Sequence, residues 1–404
     1  MNILIVVWNL TLGRGGRQRA GAALANDMFR RGHKCTVLVN DTTPAPPLFP
    51  LEKGIGLIHI DTSNHLEYRD KLLRHNNDSL FHESVRRRIL AASPDAVLVM
   101  SSSREILMWP AILKGTGIPL IFSERTDPSF MTPFCWGSRE ERLAVLSAAD
   151  LIHFQMEGFR SYYPSFLQDR LRAIPNQVSQ STTVSDPTGK NQSPKIIINV
   201  ARMDEHKHQP LLARAFRLIA MDYPDWELHF WGGEGKLAED LKQTIVDAGV
   251  AGRAHVHNTT DTVGEKLSQA QIFAFPSEFE GCPNALLEAM AHGLPSIGYA
   301  QCGGTNEILL NGTNGLLFDE LTPHSIAQAL KTLLDDEALR ENMGKAAQET
   351  SKQFSPEKVF DKYEKLFMEA TRFKNKTRLN SPCVTDEEAQ CRKTLEHLYS
   401  LQWI

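Results

Sequence analysis

The stretch Gln271 to Gly293, QIFAFPSEFEGCPNALLEAMAHG, decides the reading of this chain. Ile272, Phe273, Ala274 and Phe275 form a short apolar run of the buried-strand kind. Pro276, Ser277 and Gly281 interrupt it. Pro283 suits a first helical position, where its missing N–H would be unpaired anyway. Leu286, Leu287 and Met290 then recur at helical spacing, and Gly293 with Pro295 marks the stop. The pattern predicts strand, loop and helix, with Glu280 in the loop and Glu288 about one turn into the helix. Free N–H groups at a helix start favour an anion. A carboxylate on each side of that start suits a ligand with a phosphate in the middle and hydroxyls at both ends.

Spacing alone does not separate this from a surface Glu and an unrelated helix Glu. The wider string EGCPNALLEAMAHGLP adds to it. It resembles the E-x7-E signature of the family-four retaining glycosyltransferases, including the Gly and Pro after the first Glu and the Leu-Leu-Glu-Ala-Met run. The resemblance implies the GT-B fold: α/β, two doubly wound Rossmann-like domains facing a central cleft. It also implies that Glu280 holds hydroxyls of a transferred sugar and Glu288 the ribose diol of a nucleotide. Gly281, Cys282, Pro283, Asn284 and Leu287 become donor-binding candidates with them.

Composition fits such a chain. The 404 residues suffice for two full cores. With 42% hydrophobic and 23% charged residues, the balance is that of a soluble α/β protein. No apolar run approaches the ~18 residues of a membrane span. MNILIVVWN reads as a first strand rather than a signal peptide, which makes the cytoplasm the expected compartment. Six scattered cysteines without C-x-x-C argue against a disulfide framework and a zinc site. Net charge is −4, yet residues 1–180 carry 21 Lys and Arg against 17 Asp and Glu. A mildly basic first half suits an anionic surface as well as it suits chance. There is no basic–aromatic interleaving of the kind that marks nucleic-acid binding.

The first half opens with a buried-type strand, Ile3 to Val7, and a Gly-rich turn around Gly13, Gly15 and Gly16. Ala20, Leu24, Met28 and Phe29 follow at helical spacing, then a second strand, His33 to Val39. This unit starts a parallel doubly wound sheet. The turn is not the dinucleotide fingerprint, and by itself is weak evidence. The resemblance implies that Gly15 and Gly16 approach the donor's diphosphate. Arg17 is an addition and a candidate acceptor-side residue. Many family members have a histidine after the strand that here runs Pro119 to Phe122; this chain has Arg125 and Thr126 instead. Arg125 and Asp127 are therefore candidates either for the acceptor side or for a structural pair with each other.

Residues 177–194 are rich in Ser, Thr, Asp, Gly, Asn and Pro, which reads as a linker between a first domain, 1–176, and a second, 195–355. A helix over 356–371 crosses back to the first domain by resemblance, and 372–404 forms a C-terminal extension. The second domain restarts on the strand Lys195 to Val200, followed by Arg202 and Lys207 on a short turn. Two such cations could be solvated bases or a diphosphate clamp, Arg as a fork and Lys as a point charge. The family has an Arg and a Lys at this spacing on the diphosphate, which implies catalytic roles for Arg202, Lys207 and Glu280. His206 and His208 flank the lysine without evident carboxylate or cysteine partners, and no metal or cofactor is expected. The implied partners are a nucleoside-diphosphate sugar, with a UDP-linked hexose or N-acetylhexosamine preferred, and a glycan or lipid-linked acceptor. The second of these would bring peripheral contact with the inner membrane face. Three other readings stay open: a glycoside hydrolase with paired carboxylates, a sugar-nucleotide epimerase of the same two-domain plan, and a non-catalytic nucleotide-sugar binder.

Overall fold

The computed structural model describes residues 1–11, 15–39, 46–60, 78–101, 104–130, 138–190, 192–378, 381–383 and 385–403. Gly13, Arg14 and Cys135 lie outside them. The chain divides into two compact units, Met1–Pro175 with Phe360–Ile404, and Asn176–Val359.

Among the described residues the first unit contains a seven-stranded parallel sheet. Its strands are β1 (Asn2–Val7), β2 (Lys34–Val39), β3 (Gly56–His59), β4 (Ala96–Met100), β5 (Leu120–Ser123), β6 (Leu151–Phe154) and β7 (Leu171–Ala173). Their spatial order is β3-β2-β1-β4-β5-β6-β7. The apolar runs explain this arrangement: Ile3 to Val7 and Ala96 to Met100 are buried at every position, which only a sheet covered on both faces allows. The helix Gly16–Arg30 packs closely on β1, so a Cβ on Gly21 would come within 2.5 Å of a Val7 methyl.

The second unit repeats the plan with six parallel strands, ordered β10-β9-β8-β11-β12-β13. They are β8 (Lys195–Val200), β9 (Trp226–Trp231), β10 (Ala254–His257), β11 (Ile272–Phe275), β12 (Ser296–Tyr299) and β13 (Gly315–Phe318). Leu212, Phe216, Leu228, Phe230, Ile326 and Leu330 build the core on one face. In both sheets the first strand of the unit has neighbours reached in opposite directions. β1 lies between β2 and β4, and β8 between β9 and β11. Open α/β sheets bind ligands outside the carboxyl ends of the strands at such a switch point.

Several boundaries differ from the sequence reading. Asn176 belongs to the second unit, where its amide donates to the Cys282 carbonyl at 2.7 Å. Residues 177–194 are not a free spacer but a strap fixed to the second unit. Ser185 donates to the Ala270 carbonyl, and Arg340 Nε donates to the Pro187 carbonyl at 2.8 Å. The composition is that of a loop, but several of its polar groups make fixed contacts, Gln180 Nε2 with the Ser351 hydroxyl and Gln192 Nε2 with the Gln269 carbonyl. Near the end of the second unit, two helices, Pro323–Asp335 and Glu337–Ser351, are separated because Asp336 is extended and its carboxylate caps Leu339 N–H. The helix Pro356–Thr371 runs through the division, its residues from Phe360 on belonging to the first unit. The extension is not separate either. It forms the helix Asp386–Trp403, and Glu388 there meets Arg170 at 2.8 Å in a pair almost wholly buried.

Candidate functional site

The charged candidates of the second unit gather on the loops leaving the carboxyl ends of β8 and β11. These strands pair directly, Ile272 beside Ile197 and Phe273 beside Ile198, so the loops after them emerge side by side. The Glu278 N–H donates to the His206 carbonyl at 2.9 Å, tying one loop to the other. Lys207 Nζ bonds Glu280 Oε1, both side chains nearly nine-tenths buried, and lies 5.5 Å over the Phe275 ring. His208 Nε2 is 3.0 Å from Glu278 Oε2. His208 has φ +52°, turning the chain from the short 3-10 turn Glu205–Lys207 into the helix Gln209–Ile219. The buried Gln209 amide donates to the Arg202 carbonyl at 2.9 Å. The Arg202 side chain is exposed and has no ion pair among the described residues. Glu280 and Lys207 thus touch, while Arg202 is held by its backbone on the same loop as Lys207.

Two glycines make these loops possible. Gly232, after β9, has φ +106°, and a Cβ there would lie 2.3 Å from the Ala201 carbonyl oxygen. Gly304, in the short helix Gly303–Asn306, would place a Cβ within 2.6 Å of the Glu280 and Gly281 carbonyl oxygens. Only glycine lets backbone approach backbone so closely. The Glu280 loop is therefore clamped by His206 on one side and Gly304 on the other.

Pro283 is the residue before the helix Asn284–Ala291, with ψ 109°, not the first helical residue. A proline's fixed φ serves both positions, and the extended ψ decides between them. Glu288 and Leu287 lie inside that helix, Leu287 buried. Cys282 is buried, and its Sγ accepts from Asn176 N–H at 3.3 Å.

Electrostatics sharpen the picture. Burial, then the Lys207 charge, lowers the His206 imidazole from its ordinary range, although Asp204 Oδ1 sits 2.8 Å from its Nδ1. Burial and then the Glu280 charge push the Cys302 thiol up to about 12, so Cys302 is an inert thiol in this setting. The two histidines do have carboxylate neighbours, Asp204 and Glu278, contrary to the sequence reading, but each pairs separately. Sequence reasoning missed two further groups. Ser277 is buried with no hydrogen-bond partner for its Oγ among the described residues, and the Asn199 amide donates to the Ala274 carbonyl at 2.7 Å. Buried polar atoms are ordinarily hydrogen-bonded, so Ser277 Oγ, without a partner among the described residues, stands out beside this loop.

The first unit treats its candidates differently. Gly15 is the extended residue before the helix Gly16–Arg30, and Gln18 ties that helix start to the Trp8 carbonyl at 2.8 Å. Arg17 is half-buried at the same end. Arg125 and Asp127 do not form a pair. Arg125 Nη1 donates to the Tyr363 hydroxyl at 3.0 Å, and Asp127 Oδ1 accepts from the Ser129 N–H and hydroxyl. Tyr363 also stands 3.2 Å from His153, a buried imidazole that bonds Ser123 at 2.7 Å and the Ile174 carbonyl at 2.8 Å. Burial, with the Arg125 charge, lowers His153 to about 3. Nothing in the periodicity of Leu151 to Phe154 distinguishes His153 from any polar residue in a strand.

Two parallel α/β units, each opening at a switch point, define a GT-B protein. The sucrose-phosphate synthase of Thermosynechococcus elongatus has the same fold, with TM-score 0.74 and 16% identity over 91% of this chain and 98% of that one. Residues 180–350 match the model of the glycosyl transferases group 1, and over that part the chain is similar to family-four-type glycosyltransferases. A Campylobacter jejuni relative, GalNAc-alpha-(1->4)-GalNAc-alpha-(1->3)-diNAcBac-PP-undecaprenol alpha-1,4-N-acetyl-D-galactosaminyltransferase, is 20% identical over 89% of this chain and 96% of its own. An exopolysaccharide phosphotransferase of Streptomyces coelicolor is 31% identical over 50% of this chain, which spans only 21% of that protein. No helix among the described residues is long and apolar enough to cross a membrane.

Proposed function

We propose that this protein is a retaining, metal-independent glycosyltransferase. It would move a hexose or N-acetylhexosamine from a UDP-sugar to a hydroxyl of a glycan or lipid-linked glycan, in the synthesis of cell-surface polysaccharide or lipopolysaccharide. The observation that carries this is the Lys207–Glu280 contact at the switch point of the second sheet, on the same loop pair as the unpaired Arg202. In the reaction the bond from anomeric carbon to phosphate oxygen breaks and a bond to the acceptor oxygen forms. Negative charge grows on the leaving diphosphate. Arg202, Lys207 and the N–H groups at the start of helix Asn284–Ala291 would stabilise it. Lys207 would then be shared between phosphate and Glu280, whose free carboxylate lone pairs take hydroxyls of the transferred sugar. Glu288, inside the same helix, would bind the ribose diol. The leaving phosphate would accept the acceptor's proton, so no separate base is assigned.

The name of the full-length Campylobacter relative supports an N-acetylhexosamine donor and a lipid-linked acceptor. Such an acceptor would place the enzyme at the inner face of the membrane, without a span. Arg17, Arg125 and Asp127 are the first unit's candidates for acceptor contacts. The test is a panel of nucleotide sugars scored by thermal shift, followed by transfer assays with the donor that stabilises. Glu288→Ala should weaken binding of the free nucleotide about tenfold in calorimetry, one lost charge-assisted contact. Conversion of the nucleotide sugar without any acceptor would point to an epimerase, and binding without conversion to a non-catalytic binder.

A further inference from the structure

The edge of the second sheet carries a cluster that the proposed transfer does not use. β9 and β10 pair in register, His229 opposite His255 and Trp231 opposite His257. Glu227, His229 and Trp231 alternate with the core residues Trp226, Leu228 and Phe230, and so share the other face. On that face Glu227 Oε2 lies 3.0 Å from His229 Nε2 and 3.4 Å from His255 Nε2. One ligand atom from each of the three residues falls within 4.8 Å of the others, the only group of its kind among the described residues.

These separations match a coordination shell. Two ligand atoms each ~2.1 Å from a tetrahedral ion are separated by roughly 3.4 Å. The surroundings fit as well. His257 Nε2 lies 3.2 Å from His229 Nδ1. An ion on His229 Nε2 leaves Nδ1 as the N–H, which donates to His257. A metal-bound histidine ordinarily has such an outer partner. His257 is itself fixed by stacking on Trp231, with centroids 4.2 Å apart at 17°, and Lys266 Nζ lies 5.3 Å over that same indole. His255 is about one-third exposed at the sheet edge, which leaves an entry path and room for a water as fourth ligand.

We propose that Glu227, His229 and His255 bind a divalent cation of the zinc class, with His257 orienting His229. Two imidazoles and one carboxylate suit zinc over magnesium or calcium, which prefer all-oxygen shells. The site is structural. It clips the edge strand β10 to β9, reinforcing the register of a strand that has a sheet neighbour on one side only. Its ligands lie in the strand bodies, whereas Arg202, Lys207 and Glu280 sit on loops beyond the strand ends, so the inference stands whether or not the proposed transfer does.

The full-length protein, stripped with chelator and dialysed, should take up one equivalent of zinc, measured by competition with a chromophoric chelator. Its melting temperature should rise by several degrees with zinc in excess. Cobalt in place of zinc should give the intense visible absorption of a four- or five-coordinate ion. His255→Gln, at the exposed edge where folding is least at risk, should lower zinc affinity at least tenfold and remove the thermal shift. Glu227→Gln should do the same, while His324→Gln, an exposed imidazole elsewhere, should bind as the parent does. Absence of zinc uptake by the parent overturns the proposal, and so does unchanged affinity in both His255→Gln and Glu227→Gln.

Discussion

The two units solve the same topological problem and then use their charged residues in opposite ways. In the first, the polar groups beyond the carboxyl ends of the strands are satisfied by one another inside the protein. Arg142 forms a two-pronged contact with Glu124 at 2.9 and 2.6 Å, the Tyr163 hydroxyl donates to the same carboxylate, and all three are buried. His153 is likewise enclosed by Ser123, Ile174 and Tyr363. In the second unit the corresponding loops leave Lys207 and Glu280 only 12% and 13% exposed but keep Arg202 exposed and without an ion pair among the described residues. A buried, fully paired charge fixes conformation. A partly exposed one, with lone pairs or donors to spare, remains available to a ligand.

The widest break in this comparison should come from Arg142→Met. It strands the Glu124 carboxylate in the interior, a loss of about 3–5 kcal/mol of folding stability, readable as a lower urea midpoint. A change under about 1 kcal/mol would mean that the buried network does not carry the first unit. Lys207→Ala should act chiefly on the reaction, lowering transfer by roughly 100- to 1000-fold, with a smaller drop in the urea midpoint than Arg142→Met because Glu280 keeps some access to water. Equal transfer rates in variant and parent would remove Lys207 from the reaction.

A smaller effect, confined to the first unit, depends on pH. The unfolded chain protonates His153 near 6.5, but the folded protein does not until about 3. The folded imidazole's lowered pKa therefore contributes stability that is complete above pH 6.5 and lost as pH falls through the window to about 3. The slope is at most about 1.4 kcal/mol per pH unit, one proton. Asp150 opposes it. Burial raises its carboxyl from 3.8 to about 6, so its contribution is complete below pH 3.8 and lost as pH rises through about 6. His153→Gln should leave only the second trend, making the variant lose less stability than the parent between pH 7 and pH 5 in urea titrations. Parallel curves for the two proteins would assign the acid sensitivity elsewhere.

Much of this was legible in the chain. The apolar run Ile272 to Phe275, the Gly and Pro breaks and the helical spacing after Asn284 are local signals, and they place a strand, a loop and a helix where the structure has them. The run Lys195 to Val200 and the turn bearing Arg202 and Lys207 are equally local. The strap 177–194 was misread because composition reports that a segment is loop, not what it is fastened to. The separation of Arg125 from Asp127 was illegible because Tyr363, far along the chain, takes the guanidinium.

The sequence by itself indicated several strands and helices, among them those at Ile3, Lys195 and Ile272, the start of a parallel doubly wound sheet, and that Arg202, Lys207 and Glu280 stand on loops after strands. Periodicity carries that information because backbone sterics and side-chain alternation act over a few residues. Only the tertiary structure decided that Lys207 meets Glu280 across 73 residues and that His257 meets His229 across 28. It also decided that His153 is sealed from water. Those facts follow from strand order and register, which bring together residues whose identities carry no mark of their future neighbours.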